Sequence, residues 1–228
     1  MNNPLCMIKE LSREYWKLLA TREGTVIITG IMAVVLYDIS FQERWFGFFS
    51  GERMVFNNSL ITALWFLVVP MAINAATCRI PWKDLGGGFG MIRQWGPWFL
   101  VLLGLGAGWA FIVSRSPGYR DYYPMYRPAA QSVQEFFVFQ GFVAVTMYVW
   151  EFFCRGFLLF GLAKKMGRYA ILVQLIIFTL LHRGKPEYLI SIVGGLGMGI
   201  FAFEAKTFFP VFLLHLSVSV LLDIFCIL

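Results

Sequence analysis

The sequence predicts an all-α, polytopic transmembrane bundle of about seven spans, with a range of about six to eight. Three observations carry that expectation. Hydrophobic residues make up 59% of the 228 residues and charged residues only 14%, against about 25% charged in an ordinary soluble domain. Mean hydropathy is +0.70. The apolar residues also gather in runs near the ~20 helical residues needed to cross a hydrocarbon core about 30 Å thick, and short segments rich in Gly, Pro, Arg and Lys divide them.

Residues 1–24 carry Lys9, Glu10, Arg13, Glu14 and Lys17, too much charge for a secretory signal. Leu5, Ile8, Leu11, Tyr15 and Leu18 recur every three or four residues opposite them. That is the pattern of an amphipathic helix lying on a membrane surface, with a frayed cytoplasmic tail as the alternative. Apolar stretches follow at 25–40, 60–76, 98–113, 133–162, 169–182, 188–205 and 209–228. The fourth is long for one crossing, which a tilt or an extension past the bilayer accommodates. The fifth is short, so its end is expected to dip only partway across. Lys and Arg are more numerous on the side shared by the N-terminal tail, which argues for a cytoplasmic N-terminus.

The same features exclude other classes. The net charge of +6 is scattered through loops. It forms no basic stripe with interleaved aromatics, so nucleic acid is not expected as a partner; contact with the lipid bilayer is. Cys6, Cys78, Cys154 and Cys226 form no CxxC pair and are expected to pack as small hydrophobes. The glycine-rich segment 84–90 lacks a following Gly-Lys-Ser/Thr and reads as a turn rather than a phosphate loop. The segment 117–127 (PGYRDYYPMYR) reads as an interfacial aromatic belt, with a substrate-lip role as the alternative. No internal repeat is visible, so an inverted-repeat transporter gains no support.

Candidate chemistry lies in the last third of the chain, where ionisable groups interrupt apolar helices. Charge at membrane depth costs roughly 2.5–3.5 kcal/mol on insertion scales and usually marks function. Glu151 and Arg155 are one helical turn apart and share a face. They read either as a structural ion pair or as a general base, Glu151, with its orienting neighbour. His182 ends a span and is followed by Arg183-Gly184-Lys185-Pro186, a turn that places it near a membrane mouth. His215, Ser219 and Asp223 recur along one face of the last helix. His215 and Ser219 can donate to a developing oxyanion, while Ser219 can instead bond back to the carbonyl four residues earlier. Asp223 is either a buried acid with a partner elsewhere or an interfacial residue; Glu135 and Glu204 are expected near span ends. Two histidines and a glutamate can in principle ligate zinc. No Gly-x-Ser-x-Gly or His-Glu-x-x-His is present. The residues alone point to a Glu/His/His site able to activate water inside a membrane protein.

The order Glu151-x-x-x-Arg155, Phe178-x-x-x-His182, His215-x-x-x-Ser219, each on its own apolar helix, resembles the CPBP family. These are the CAAX proteases and bacteriocin-processing enzymes, also called the Abi family. The resemblance covers roughly 130–228, and the segment 194–215 also looks like the family's approach to its last histidine. It implies three parts to the chain: an N-terminal cytoplasmic or interfacial segment (1–24), accessory transmembrane helices (25–130) and a catalytic transmembrane core (131–228). It further implies a membrane-embedded, glutamic-type endopeptidase that needs no cofactor or metal, in the bacterial inner membrane. Its substrate would be a membrane-anchored protein or peptide, cut near its C-terminus. By resemblance, Glu151 and His182 activate water, His215 stabilises the oxyanion with its helical neighbour Ser219, and Arg155 orients the glutamate. Two positions depart from the family pattern. Trp150 stands where the family has a first acid, and Ser219 where it has Asn or Asp. Those departures keep a non-catalytic scaffold, an immunity protein or membrane chaperone, as the alternative. Trp150-Glu151-Phe152-Phe153-x-Arg155-Gly156 with His182-x-Gly184-Lys185-Pro186 resembles a branch similar to the myxosortases, which are proposed to remove C-terminal sorting tails.

Overall fold

The structure is a computed structural model and describes residues 21–228; the surface helix or tail expected within 1–24 falls almost wholly outside them. The described chain is helical with no strand. Its long helices coincide with the apolar stretches of the sequence: α1 (Arg22–Gln42), α2 (Gly51–Cys78), α3 (Ile92–Val113), α4 (Val133–Glu151), α5 (Ala170–Leu180), α6 (Ile190–Ala205) and α7 (Phe209–Ile227). Among the described residues, α1, α2, α3, the run Val133–Leu180 and α7 are long and apolar enough to cross a membrane, and α6 is apolar but shorter. Large apolar side chains such as Leu100, Leu105, Ile112, Ile176 and Val193 face outward. A water-soluble monomer rarely tolerates that much exposed apolar surface, whereas lipid tails accept it. The chain is an integral membrane protein.

Local chemistry explains the helix ends. Thr21 caps α1 by accepting from the Gly24 amide at 3.1 Å, and Ser132 caps α4 through the Glu135 amide. Pro210 opens α7, where its missing N–H is one of the helix's orphans anyway. α2 widens into π turns at Leu64–Val68 and Asn74–Cys78, on either side of Pro70. A proline inside a helix removes one i→i−4 bond, and a wide turn accommodates the loss.

α4 continues into a π stretch, Phe152–Phe160, and then Gly161–Met166. The long fourth segment expected from the sequence is therefore one wide-turned helix. Gly167, with φ of +57°, reverses the chain, a conformation glycine reaches at little cost. α5 then packs back against Phe152–Phe160.

The core lies around this π stretch, where Phe152, Phe153, Phe157, Leu158 and Leu159 are fully buried. α6 reaches it through two glycines. A Cβ at Gly195 would stand 2.6 Å from the Phe178 ring, and one at Gly199 2.4 Å from Gln174 Nε2. Close small-residue approach is how helices pack in lipid, where apolar burial gives no net drive. α3 is buried only at Trp95 and Ala110 and lies along α7.

The loops 43–50, 114–132 and 181–189 gather at one end of the bundle. Arg183 lies 3.8 Å from Asp38 at the end of α1, Tyr123 donates to Glu187 at 2.7 Å, and Phe49 packs on Phe142 of α4. The glycine-rich loop 79–91 is a turn at the opposite end, tied to the α6–α7 connection by Thr207 Oγ1 donating to the Gly88 carbonyl at 2.6 Å. Glu135 pairs with Arg53 and Glu204 with Arg168, each at 2.9 Å and with solvent-exposed arginines, as expected of span ends. Cys78, Cys154 and Cys226 are free thiols.

Candidate active site

Glu151 is the last residue of α4 before the π stretch, and Arg155 sits one turn into that stretch. Both are fully buried. Arg155 Nη1 lies 3.0 Å from Glu151 Oε1 and 2.9 Å from Oε2. The guanidinium also sits 4.1 Å over the Phe178 ring, and Nη2 reaches the Gly195 carbonyl at 3.5 Å. That carbonyl also accepts from Gln174 Nε2 at 3.2 Å. An ion pair, an aromatic face and a backbone carbonyl thus surround a charge that has no access to water.

His215, on α7, donates from Nδ1 to Glu151 Oε1 at 2.6 Å. This contact joins residues far apart in sequence, and it fixes the imidazole tautomer. A carboxylate oxygen accepts, so Nδ1 carries the hydrogen and Nε2 is left for a substrate or water.

His182 is set by the end of α5. Its backbone amide turns to the Thr179 carbonyl at 3.0 Å, leaving the Phe178 carbonyl among the orphaned acceptors of the last turn. His182 Nδ1 donates to that carbonyl at 2.8 Å. The second imidazole is thereby also protonated on Nδ1 and open at Nε2. The two rings lie 6.4 Å apart between centroids with their planes 23° apart. Phe178 packs against both, at 4.4 Å from His182 and 6.0 Å from His215.

Both histidines line a cavity of about 600 Å³, together with Trp150, Lys185, Ser219 and Asp223. Trp150 meets His182 edge-on at 5.2 Å, and the Lys185 ammonium sits 4.5 Å over the indole. Burial lowers the Lys185 ammonium below its ordinary pKa, and the Glu187 carboxylate partly offsets this. The position where the family pattern has an acid therefore holds an aromatic platform under a cation.

The expected residues fall into two layers. His182, His215 and Ser219 face the cavity, whereas Glu151 and Arg155 stand behind His215 and do not line it. Glu151 bonds His215 and not His182. Among the described residues Ser219 Oγ makes no hydrogen bond, neither to the carbonyl four residues earlier nor to His215, although it lines the cavity. The expected buried acid is Asp223, and its partner is Gln140, whose Nε2 donates to Oδ2 at 2.8 Å. No three His, Cys, Asp or Glu side chains among the described residues form a group that could hold a metal ion. Sequence reasoning passed over Lys185 and Gln140. Lys185 was legible only as part of a turn, and Gln140 sits in an apolar run with no spacing signal.

No curated protein and no solved structure matches the chain. Residues 132–221, which carry Glu151, Arg155, His182, His215 and Ser219, match the family model described as Rce1-like, type II CAAX prenyl endopeptidase. That match spans 90 of the 228 residues, the part of the chain that carries the candidate site.

Proposed function

We propose that the chain is a glutamic-type intramembrane endopeptidase that cuts membrane-anchored proteins near their C-termini. The supporting observation is the Glu151–His215 hydrogen bond on the wall of a cavity that also presents His182. Glu151 holds His215 in one tautomer and orientation, as a carboxylate does behind a catalytic imidazole. His215 Nε2 takes a proton from water, and the hydroxide attacks the peptide carbonyl carbon. His182 Nε2 accepts the water's other hydrogen and orients it. The Lys185 ammonium supplies positive charge where the oxyanion forms. As the C–N bond breaks, His215 returns its proton to the leaving amine. Arg155 positions Glu151, and Ser219 shapes the wall beside His215. The family resemblance suggests a different division, with His182 beside Glu151 on the water and His215 on the oxyanion; the observed pairing of Glu151 with His215 favours His215 as the base.

The parts expected from the sequence carry over to this proposal: 1–24 as an interfacial segment, 25–130 as accessory helices and 131–228 as the catalytic core. The myxosortase-like branch and a bacterial inner-membrane setting belong to the same proposal. The competing reading, a non-catalytic scaffold, draws on the complete burial of Glu151 and Arg155, which suits a structural pair. Mass spectrometry of protein C-termini separates the two readings. It compares cells carrying the wild type with cells carrying His215→Ala at equal expression. Tails retained only with the variant support the protease and identify its substrates; identical termini support the scaffold.

A further inference from the structure

The cavity has a second polar end, away from the histidines. Asp223 lies two helical turns beyond His215 on α7, about 12 Å along the axis at ~1.5 Å per residue. It is 2% exposed and lines the cavity. Oδ2 is held by Gln140, while Oδ1 has no partner among the described residues, and neither has Gln140 Oε1. Glu187, also on the cavity wall, accepts from the Tyr123 hydroxyl through Oε1 at 2.7 Å, and its Oε2 is buried without a partner among them. Tyr119, Tyr122 and Tyr123 cluster here, with rings 4.9 Å apart for Tyr122 and Tyr123 and 6.3 Å for Tyr119 and Tyr123. Burial, together with the carboxylates of Glu187 and Asp223, holds the Tyr123 phenol well above its ordinary range, so it stays a neutral donor.

The cavity wall at this end therefore offers two buried carboxyl oxygens with no donor among the described residues, Asp223 Oδ1 and Glu187 Oε2, beside aromatic faces. Buried acceptors are almost always satisfied, and leaving one unmade costs about 1–3 kcal/mol. Protonating one carboxyl would not supply a donor to the other. The chain's own cations do not fill the gap. Arg183 pairs with Asp38, Lys185 sits over Trp150, and Arg120 and Arg127 donate to the backbone carbonyls of Ser114, Arg120, Asp121 and Tyr123. Among the described residues, no lysine or arginine nitrogen lies within ion-pair distance of Asp223 or Glu187.

Resting on the proteolytic reading, we infer that this end of the cavity is a subsite for a lysine or arginine side chain of the substrate polypeptide. A guanidinium or ammonium brings the several N–H donors and the positive charge that Asp223 and Glu187 lack, and the tyrosine rings add cation–π attraction. The offset of about 12 Å fixes its place. With about 3.3 Å per extended residue, and a long side chain spanning part of the gap, the cation lies about three residues from the bond that is cut.

The test is binding to the purified full chain in detergent micelles. The probes are N-acetylated, C-amidated apolar decapeptides, each with one arginine at a successive position, and twins in which citrulline replaces the arginine. The expected result is that one or two placements bind roughly tenfold or more tightly as arginine than as citrulline. Asp223→Asn and Glu187→Gln should each bring that ratio to within about threefold of one. Glu187, in a loop, serves as the variant that keeps the test decisive where Asp223→Asn alters folding, which the unfolding midpoint in micelles reports. The subsite is overturned where no placement discriminates in the wild type, where all placements discriminate equally, or where both variants keep the wild-type ratio. Cleavage without charge discrimination would sink the subsite and leave the protease standing. Discrimination with unchanged cellular C-termini would sink the protease and leave a cation site.

Discussion

Removing the charge of Glu151 should produce two separable effects, one on stability and one on chemistry. Glu151→Gln keeps the side chain's size and takes away the anion facing Arg155. Two unit charges 2.9 Å apart attract by about 6 kcal/mol at an effective dielectric of about 20. Desolvation of each fully buried ion costs several kcal/mol, so the pair itself is near break-even. Removing one member leaves the guanidinium's desolvation uncompensated, and Glu151→Gln should destabilise by about 3–5 kcal/mol. Its cation–π contact with Phe178 and the Gly195 carbonyl soften that loss but do not replace an anion. Adding Arg155→Met removes the stranded cation. The double variant should recover most of the stability, since replacing a whole buried pair by apolar groups is often neutral or better. Cleavage should not recover, because His215 still lacks the carboxylate that holds its Nδ1–H. A catalytic imidazole deprived of its acid partner loses about 10⁴ in rate in the serine proteases, and a loss of at least about 10² is expected for this chain. The assay pairs unfolding in mixed micelles with retention of substrate tails in cells carrying each single variant and the double. Cleavage that returns together with stability in the double variant would show Glu151 to be structural and would refute the reasoning.

Other outcomes follow from the same geometry. His182→Ala and His215→Ala should each reduce cleavage by about 10²–10⁴, the usual range for a lost acid–base group, with the protein still folded by unfolding midpoint; near wild-type cleavage in either variant would exclude that imidazole from the reaction. Ser219→Ala should change cleavage by less than about threefold, because the hydroxyl makes no hydrogen bond among the described residues and an unmade bond contributes nothing to lose; a drop of tenfold or more would assign it an oxyanion role. Gly195→Ala should destabilise by about 1–3 kcal/mol, since its Cβ would stand 2.6 Å from the Phe178 ring. It should lower cleavage as well, because Phe178 supports both histidines and Arg155. An unfolding midpoint equal to wild type would contradict that close approach.

Much of this molecule is written in one dimension. A helix in lipid must satisfy its own backbone, so the apolar runs had no other structure to adopt, and most of their ends fall within a few residues of the observed helices, though the third helix begins at Ile92 rather than near residue 98. The sixth run, 188–205, became Ile190–Ala205, and the seventh, 209–228, became Phe209–Ile227. The second was less legible. It begins at Gly51 rather than near residue 60, because Glu52, Arg53, Asn57 and Asn58 break the apolar pattern of its first turns. The site's raw material was equally open to reading, since ionisable groups inside apolar helices are rare enough to be conspicuous. The i,i+4 spacing of Glu151 and Arg155 also fixed their pairing before any tertiary contact formed.

The sequence by itself determined that this is a helical membrane protein with Glu151, Arg155, His182 and His215 as the groups most costly to bury without purpose. The tertiary structure alone decided how they meet. It gave Glu151 to His215 rather than His182, set Glu151 behind the cavity wall, turned Ser219 to the cavity, and paired Asp223 with Gln140. Periodicity states which residues share a face of one helix, but not how far neighbouring helices are rotated or how closely they approach. In this bundle those quantities depend on the wide turns of the π stretch after Glu151 and on the glycine contacts that bring α6 against α5. Both are consequences of packing that no local pattern encodes.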